Sequence, residues 1–198
     1  MASDKRNYDV IIIGAGSVGV PAACFIAESG TRVLVLDRYA SVGQGANKAA
    51  IGGVRATHSD TAKIRIGLKS IEILSNWHEA HGDNLEWQTG GYTFVAYDER
   101  EEKILKSLLT DQHRYGLNID WLDRNALLEA VPSLNPDGLI GGTLSPEDGS
   151  ASPLLALHAF YAAAKRQGAE FRFGETVQAI EVSGGQVTAV ETDKGRYG

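Results

Sequence analysis

The sequence predicts an α/β fold in which two stretches of strand–helix alternation flank an α+β insertion. Three observations carry that expectation. The β-branched run Val10-Ile11-Ile12-Ile13 stops at a glycine-rich turn; a second apolar run, Val33-Leu34-Val35-Leu36, follows one helix length later; and helix-then-strand patterning returns after Ser152.

The elements follow in order. A continuous β-branched run suits a parallel strand covered on both faces. Gly14-Ala15-Gly16-Ser17-Val18-Gly19 spells GxGxxG, and the helical stretch Val20 to Ser29 stops at Gly30. Arg32 to Leu36 reads as the next strand, with Asp37 at its end. Gly14 permits the tight turn, Gly16 lets a pyrophosphate approach the backbone, and Gly19 lets helix and strand pack closely. The free N–H groups and positive dipole end of the helix then face the phosphates, and Asp37 is placed to accept hydrogen bonds from ribose hydroxyls. Strand, turn, helix, strand and acid in this order predict a Rossmann-like dinucleotide site, with NAD and FAD both admitted.

A long loop of small residues, Ser41 to Arg55, comes next. A helix is expected from Ser59-Asp60, with Ile64, Leu68, Ile71, Leu74 and His78 on one face. Asn84 to Tyr97 reads as extended. Asp98 and Glu101 form a capping-box pair for a helix carrying Ile104, Leu105, Leu108, Leu109 and Gln112, closed by Gly116. Ile119 to Leu122 predicts a short strand, Asp123 caps a brief helix ended by Pro132, and Gly138 to Leu144 is extended. Ser152-Pro153 opens a helix that Gly168 closes. Three strand runs follow, the last two joined by Ser183-Gly184-Gly185 as a hairpin.

Composition narrows the function. In 198 residues, 43% hydrophobic and 22% charged content supports a buried core. Lys+Arg 19 against Asp+Glu 25 gives a net charge of −6, with no basic run, which disfavours nucleic acid as partner. The one cysteine, Cys24, excludes an intrachain disulfide and any CxxC pair. The polar N-terminus predicts no signal peptide, no apolar run reaches the ~18 residues of a membrane span, and a cytoplasmic location is expected. No metal-ligand spacing is present. His78, His81, His113 and His158 fall on or beside helices and read as solvent-facing or packed, and Trp77, Trp87 and Trp121 as core or interface aromatics.

The opening GAGSVG, the acid at Asp37, the loop GQGANKAAIGGVR and the run Asp148-Gly149-Ser150-Ala151-Ser152-Pro153 together resemble the N-terminal half of the FAD-dependent amino acid oxidase family, which includes D-amino acid dehydrogenases, glycine oxidase and sarcosine oxidase. The resemblance implies a GR2-type FAD-binding domain with an inserted, incomplete α+β substrate domain. Residues 1–83 and 146–198 would form the two parts of the former and 84–145 part of the latter, with a C-terminal half or partner subunit lying outside this chain. It implies hydride transfer from an amino acid or secondary amine to flavin N5. The cofactor contacts implied are Gly14, Gly16, Ser17, Gly19, Asp37, Arg38, Gly45, Ala46, Asn47, Lys48, Gly53 and Val177, the last through its backbone to adenine. No residue matches the His or Cys that some relatives join to the flavin, although His58 lies nearby, so non-covalent FAD is expected. Lys48, Arg55 and His58 are the candidates for catalysis. The alternatives are an NAD(P)-dependent Rossmann dehydrogenase, disfavoured by the Ser41 to Arg55 loop, and a non-catalytic dinucleotide-binding subunit of a larger complex.

Overall fold

The computed structural model describes residues 7–198; the first part of the polar N-terminal segment, residues 1–6, lies outside them. The chain forms two compact units, Met1–Ile51 with Pro153–Gly198, and Gly52–Ser152. The boundaries expected from sequence fall at 83/84 and 145/146; in the structure residues 52–83 and 146–152 both group with the insertion.

In chain order, the first unit opens with β1 (Val10–Ile13), α1 (Gly19–Glu28) and β2 (Val33–Asp37), then a 3-10 turn at Ala46–Ala49. β2 runs parallel to β1, with Val10 opposite Val33 and Ile13 opposite Leu36. Val33 through Leu36 are fully buried, as the continuous apolar run of a strand covered on both faces requires. β1 departs from that expectation. Among the described residues it pairs with β2 alone, and Ile13 is 52% exposed.

The second unit begins with β3 (Gly53–Val54), α2 (Thr61–Ser75) and α3 (Trp77–His81), continues through β4 (Gln88–Thr89), β5 (Tyr92–Ala96), α4 (Glu99–Arg114), β6 (Asp120–Asp123) and α5 (Arg124–Ala130), and ends with β7 (Gly141–Ser145) and β8 (Gly149–Ser150). Its caps are those the sequence announces: Asp60, Asp98 and Asp123 accept hydrogen bonds from the backbone N–H groups of Lys63, Glu101 and Ala126. The expected single helix through His78 is two. Asn76 turns its amide onto the Glu72 carbonyl and ends α2, so His78 lies on α3, off the α2 face. β5, β7 and β6 form one antiparallel sheet, with Phe94 and Trp121 both opposite Thr143. β3 and β4 flank β8 in a second. Asp148, fully buried, joins the start of this unit to its end by accepting from the Ala56 N–H (3.0 Å) and the Thr57 hydroxyl (2.7 Å). Those bonds, with the packing of Ala56 and Ile64 against Leu117 and Ile119, are why Gly52 onward joins the insertion.

The chain then returns to the first unit with α6 (Pro153–Arg166), β9 (Glu170–Phe173) and the meander β10 (Val177–Ser183), β11 (Gln186–Thr192) and β12 (Arg196–Tyr197). β9 lies parallel to β2, completing the order β1-β2-β9. Phe25 of α1 meets Phe160 of α6 edge-on, and Leu34 and Leu36 pack with Val190 and Tyr197. Gly184 and Gly185 both take positive φ, as the tight turn between β10 and β11 requires.

Candidate cofactor-binding site

A cleft of about 440 Å³ opens in the first unit, within the ~300–1,000 Å³ usual for small-molecule sites. Of the residues expected from sequence it gathers Gly14, Gly16, Asp37, Arg38, Gly45 and Val177. Ala15, Tyr39 and Glu175, which no sequence motif singles out, line it as well. Gly14 has φ +107°, open to glycine at little cost. A Cβ at Gly16 would meet no heavy atom within 4 Å, so that residue's missing side chain leaves open space at the cleft wall. At Gly19 the reverse holds: a Cβ would lie 2.0 Å from the Gly14 carbonyl oxygen, so turn and helix are in contact there.

These features suit a diphosphate. α1 begins with no side-chain cap and no acidic residue in its first turn, leaving its N–H groups and dipole end to an anion. Asp37 performs two tasks. Its Oδ2 accepts from the Ala15 N–H (2.6 Å) and its Oδ1 from the Tyr39 N–H (2.8 Å), so it locks the glycine turn and the far lip of the cleft. Each carboxylate oxygen keeps a lone pair for a ribose hydroxyl. Across the cleft, Glu175 is buried, and its Oε1 accepts from the hydroxyls of Thr192 (2.7 Å) and Tyr197 (2.7 Å). Its backbone N–H donates to the Asp37 carbonyl at 3.0 Å, which fixes the start of β10 and Val177 beside β2. The only signal for Glu175 in the sequence is an acid between a glycine and a strand.

The other expected contacts lie elsewhere. Ser17 is exposed and off the cleft wall, and Ala46 and Lys48 are exposed on the 3-10 turn. Asn47 is turned inward, its amide donating to the Pro153 carbonyl at 3.2 Å. Gly53, Arg55 and His58 belong to the second unit, where they share a cleft with Lys63. Arg55 donates to the Thr57 carbonyl, and its guanidinium lies 5.1 Å from the ring centres of both Tyr92 and Phe94. Among the described residues it has no carboxylate within ion-pair distance. His58 is half-buried while the other four histidines are exposed. Burial, then the cations Arg55 and Lys63, hold its imidazole pKa below the ordinary range, against the opposing pull of Asp148. Among the described residues no cluster of His, Cys, Asp and Glu could hold a metal ion, and no helix is long and apolar enough to cross a membrane.

The sequence profile described as "DAO: FAD dependent oxidoreductase" matches residues 9–197. The chain belongs to this family. Among curated relatives, one of the opine oxidase subunits of Rhizobium meliloti is 32% identical over 189 residues, spanning 88% of this chain and 50% of the relative. A D-amino acid dehydrogenase of Rhizobium rhizogenes is 25% identical, spanning 94% and 58%. Among solved structures, L-proline dehydrogenase from P. horikoshii superposes with a TM-score of 0.90 at 28% identity, covering 97% of this chain and 50% of that one. The chain thus spans about half the length of these relatives. In a member of an FAD-dependent family, the glycine turn, the uncapped α1 terminus and Asp37 are the groups that would hold the diphosphate and ribose of FAD.

Proposed function

We propose that this chain binds FAD non-covalently and contributes to the oxidation of an amino acid or secondary amine. The observation that carries the cofactor reading is the cleft wall at Gly14 and Gly16, bare of side chains and facing an uncapped helix terminus. The substrate class is supported by Arg55, a half-buried cation without an acidic partner among the described residues, suited to a substrate carboxylate. Relatives named opine oxidase, D-amino acid dehydrogenase and L-proline dehydrogenase support the same class.

When bound, FAD supplies a two-electron acceptor. The chain's own groups then divide the work. Gly16 admits the diphosphate, α1 neutralises part of its charge, and Asp37 holds the ribose while keeping the turn closed. Arg55 receives the carboxylate and so fixes which substrate bond is presented. His58, its imidazole pKa held low, is assigned to take the proton an ammonium substrate sheds before its α-hydrogen leaves with two electrons. The resulting imine takes up water and hydrolyses to a carbonyl compound and ammonia, or an amine where the substrate is a secondary amine. Lys48 is assigned to place positive charge near the reduced cofactor.

The test is direct. The purified chain, supplied with FAD, is expected to show a flavin absorption band, and acid precipitation should release the chromophore to the supernatant. A band retained in the pellet would overturn the non-covalent assignment. A chain that binds NAD(P)H and no FAD would overturn the cofactor reading. Dye reduction by a panel of amino acids and secondary amines, in both chiralities, tests the reaction.

A further inference from the structure

A second cavity, of about 230 Å³, lies inside the second unit between α4, the β5-β7-β6 sheet and the loop that follows Arg55. Phe94, Leu105 and Leu108 form its apolar walls. Three buried polar side chains also line it; Thr57 gives its hydroxyl to Asp148, and the other two are not fully satisfied. Gln112 is 3% exposed; its Nε2 donates to the His58 carbonyl at 3.0 Å, which fixes the amide and leaves Oε1 without a partner. Thr143 is 1% exposed, and its hydroxyl has no partner. Valine would fill that strand position equally well, and native interiors rarely leave such groups orphaned. The cavity exceeds several times the ~30 Å³ share of one water molecule, so it has room for an organic side chain. Arg55 lines it too, with its guanidinium over Phe94.

We infer that this cavity receives the side chain of the amino-acid substrate and selects side chains that are neutral and carry a hydrogen-bond donor, hydroxyl or carboxamide. The inference rests on the amino-acid reading above. Gln112 Oε1 can only accept, so it demands an N–H or O–H and repels a carboxylate. A cationic side chain would meet the like charge of Arg55. An aliphatic side chain would leave both polar groups unpaired.

The experiment uses the FAD-loaded protein and isosteric amino-acid pairs of both chiralities: threonine against valine, asparagine against leucine. Binding is read by calorimetry and turnover by dye reduction. The hydroxyl and amide members are expected to bind roughly tenfold more tightly than their partners. Thr143→Val, and separately Gln112→Met, should each shrink that ratio with near-ultraviolet dichroism unchanged. The comparison within the parent protein needs no variant, so a substitution that fails to fold does not blunt it. Equal binding within both pairs would overturn the inference and leave the cavity to ordered water, as would a preference that survives both substitutions. A binding preference without reduction by any amino acid would uphold the pocket and sink the oxidation reading. Turnover without preference would do the reverse.

Discussion

Two glycines of one turn, three residues apart, are expected to fail in opposite ways when enlarged. Gly16 has ordinary φ and open space where its Cβ would stand, so Gly16→Val should fold and yet lose FAD, because the branched chain enters the room the diphosphate needs. FAD titration by fluorescence quenching, with far-ultraviolet dichroism as control, checks this; parental affinity would remove the phosphate from that wall. At Gly19 a Cβ would press on the Gly14 carbonyl, so Gly19→Ala should destabilise the fold by about 1–3 kcal/mol, read from the urea midpoint. Asp37→Ala removes a ribose acceptor and the anchor of both Ala15 and Tyr39. FAD affinity should fall by the ~1.5–3 kcal/mol of a charge-assisted hydrogen bond, roughly 10- to 150-fold. Unchanged affinity would make Asp37 a purely structural group.

Among the elements, the clamp between the β7–β8 connection and the loop that follows β3 hangs on one side chain. Asp148→Ala would strand the Ala56 N–H and the Thr57 hydroxyl in the interior, at about 1–3 kcal/mol each. Urea unfolding followed by the fluorescence of buried Trp77 should show a loss of roughly 2–5 kcal/mol; a loss under 1 kcal/mol would mean the clamp is redundant. What the sequence discloses at this scale is local chemistry. Asp60, Asp98 and Asp123 announce their helices because a capping carboxylate bonds a donor three residues away, and the hairpin glycines announce their turn by its φ demands. Asp148 is legible as part of a motif, but not as a bolt, since its partners lie 92 and 91 residues away. Gln112 reads as one more position on a helical face, because nothing local marks an amide whose acceptor is left over. The inward turn of Asn47 is hidden for the same reason.

At the scale of the whole molecule, acidification is expected to act through the second unit. His58 is held below its ordinary pKa, so the unfolded chain takes up its proton first. Its contribution is fully present above about pH 6.5 and is lost as pH falls through the lower, folded value. Urea midpoints at pH 7, 6 and 5 should fall more steeply for the parent than for His58→Gln, the carboxylates being common to both. Parallel profiles would mean that burial and the neighbouring cations exert no net hold on the ring.

The split first unit sets the timetable of synthesis. β2 has to wait for β9, its parallel neighbour, until the ribosome has made the entire insertion between them. Over that interval β1, α1 and β2 must persist as a half-finished sheet, with the apolar run Val33 to Leu36 uncovered on one edge. The insertion has no such wait, since its own strands pair among themselves. A nascent chain of this design completes its middle before its beginning. The interval in which it most needs a chaperone closes when Asn47 meets the Pro153 carbonyl, 106 residues downstream, and the sheet gains its third strand.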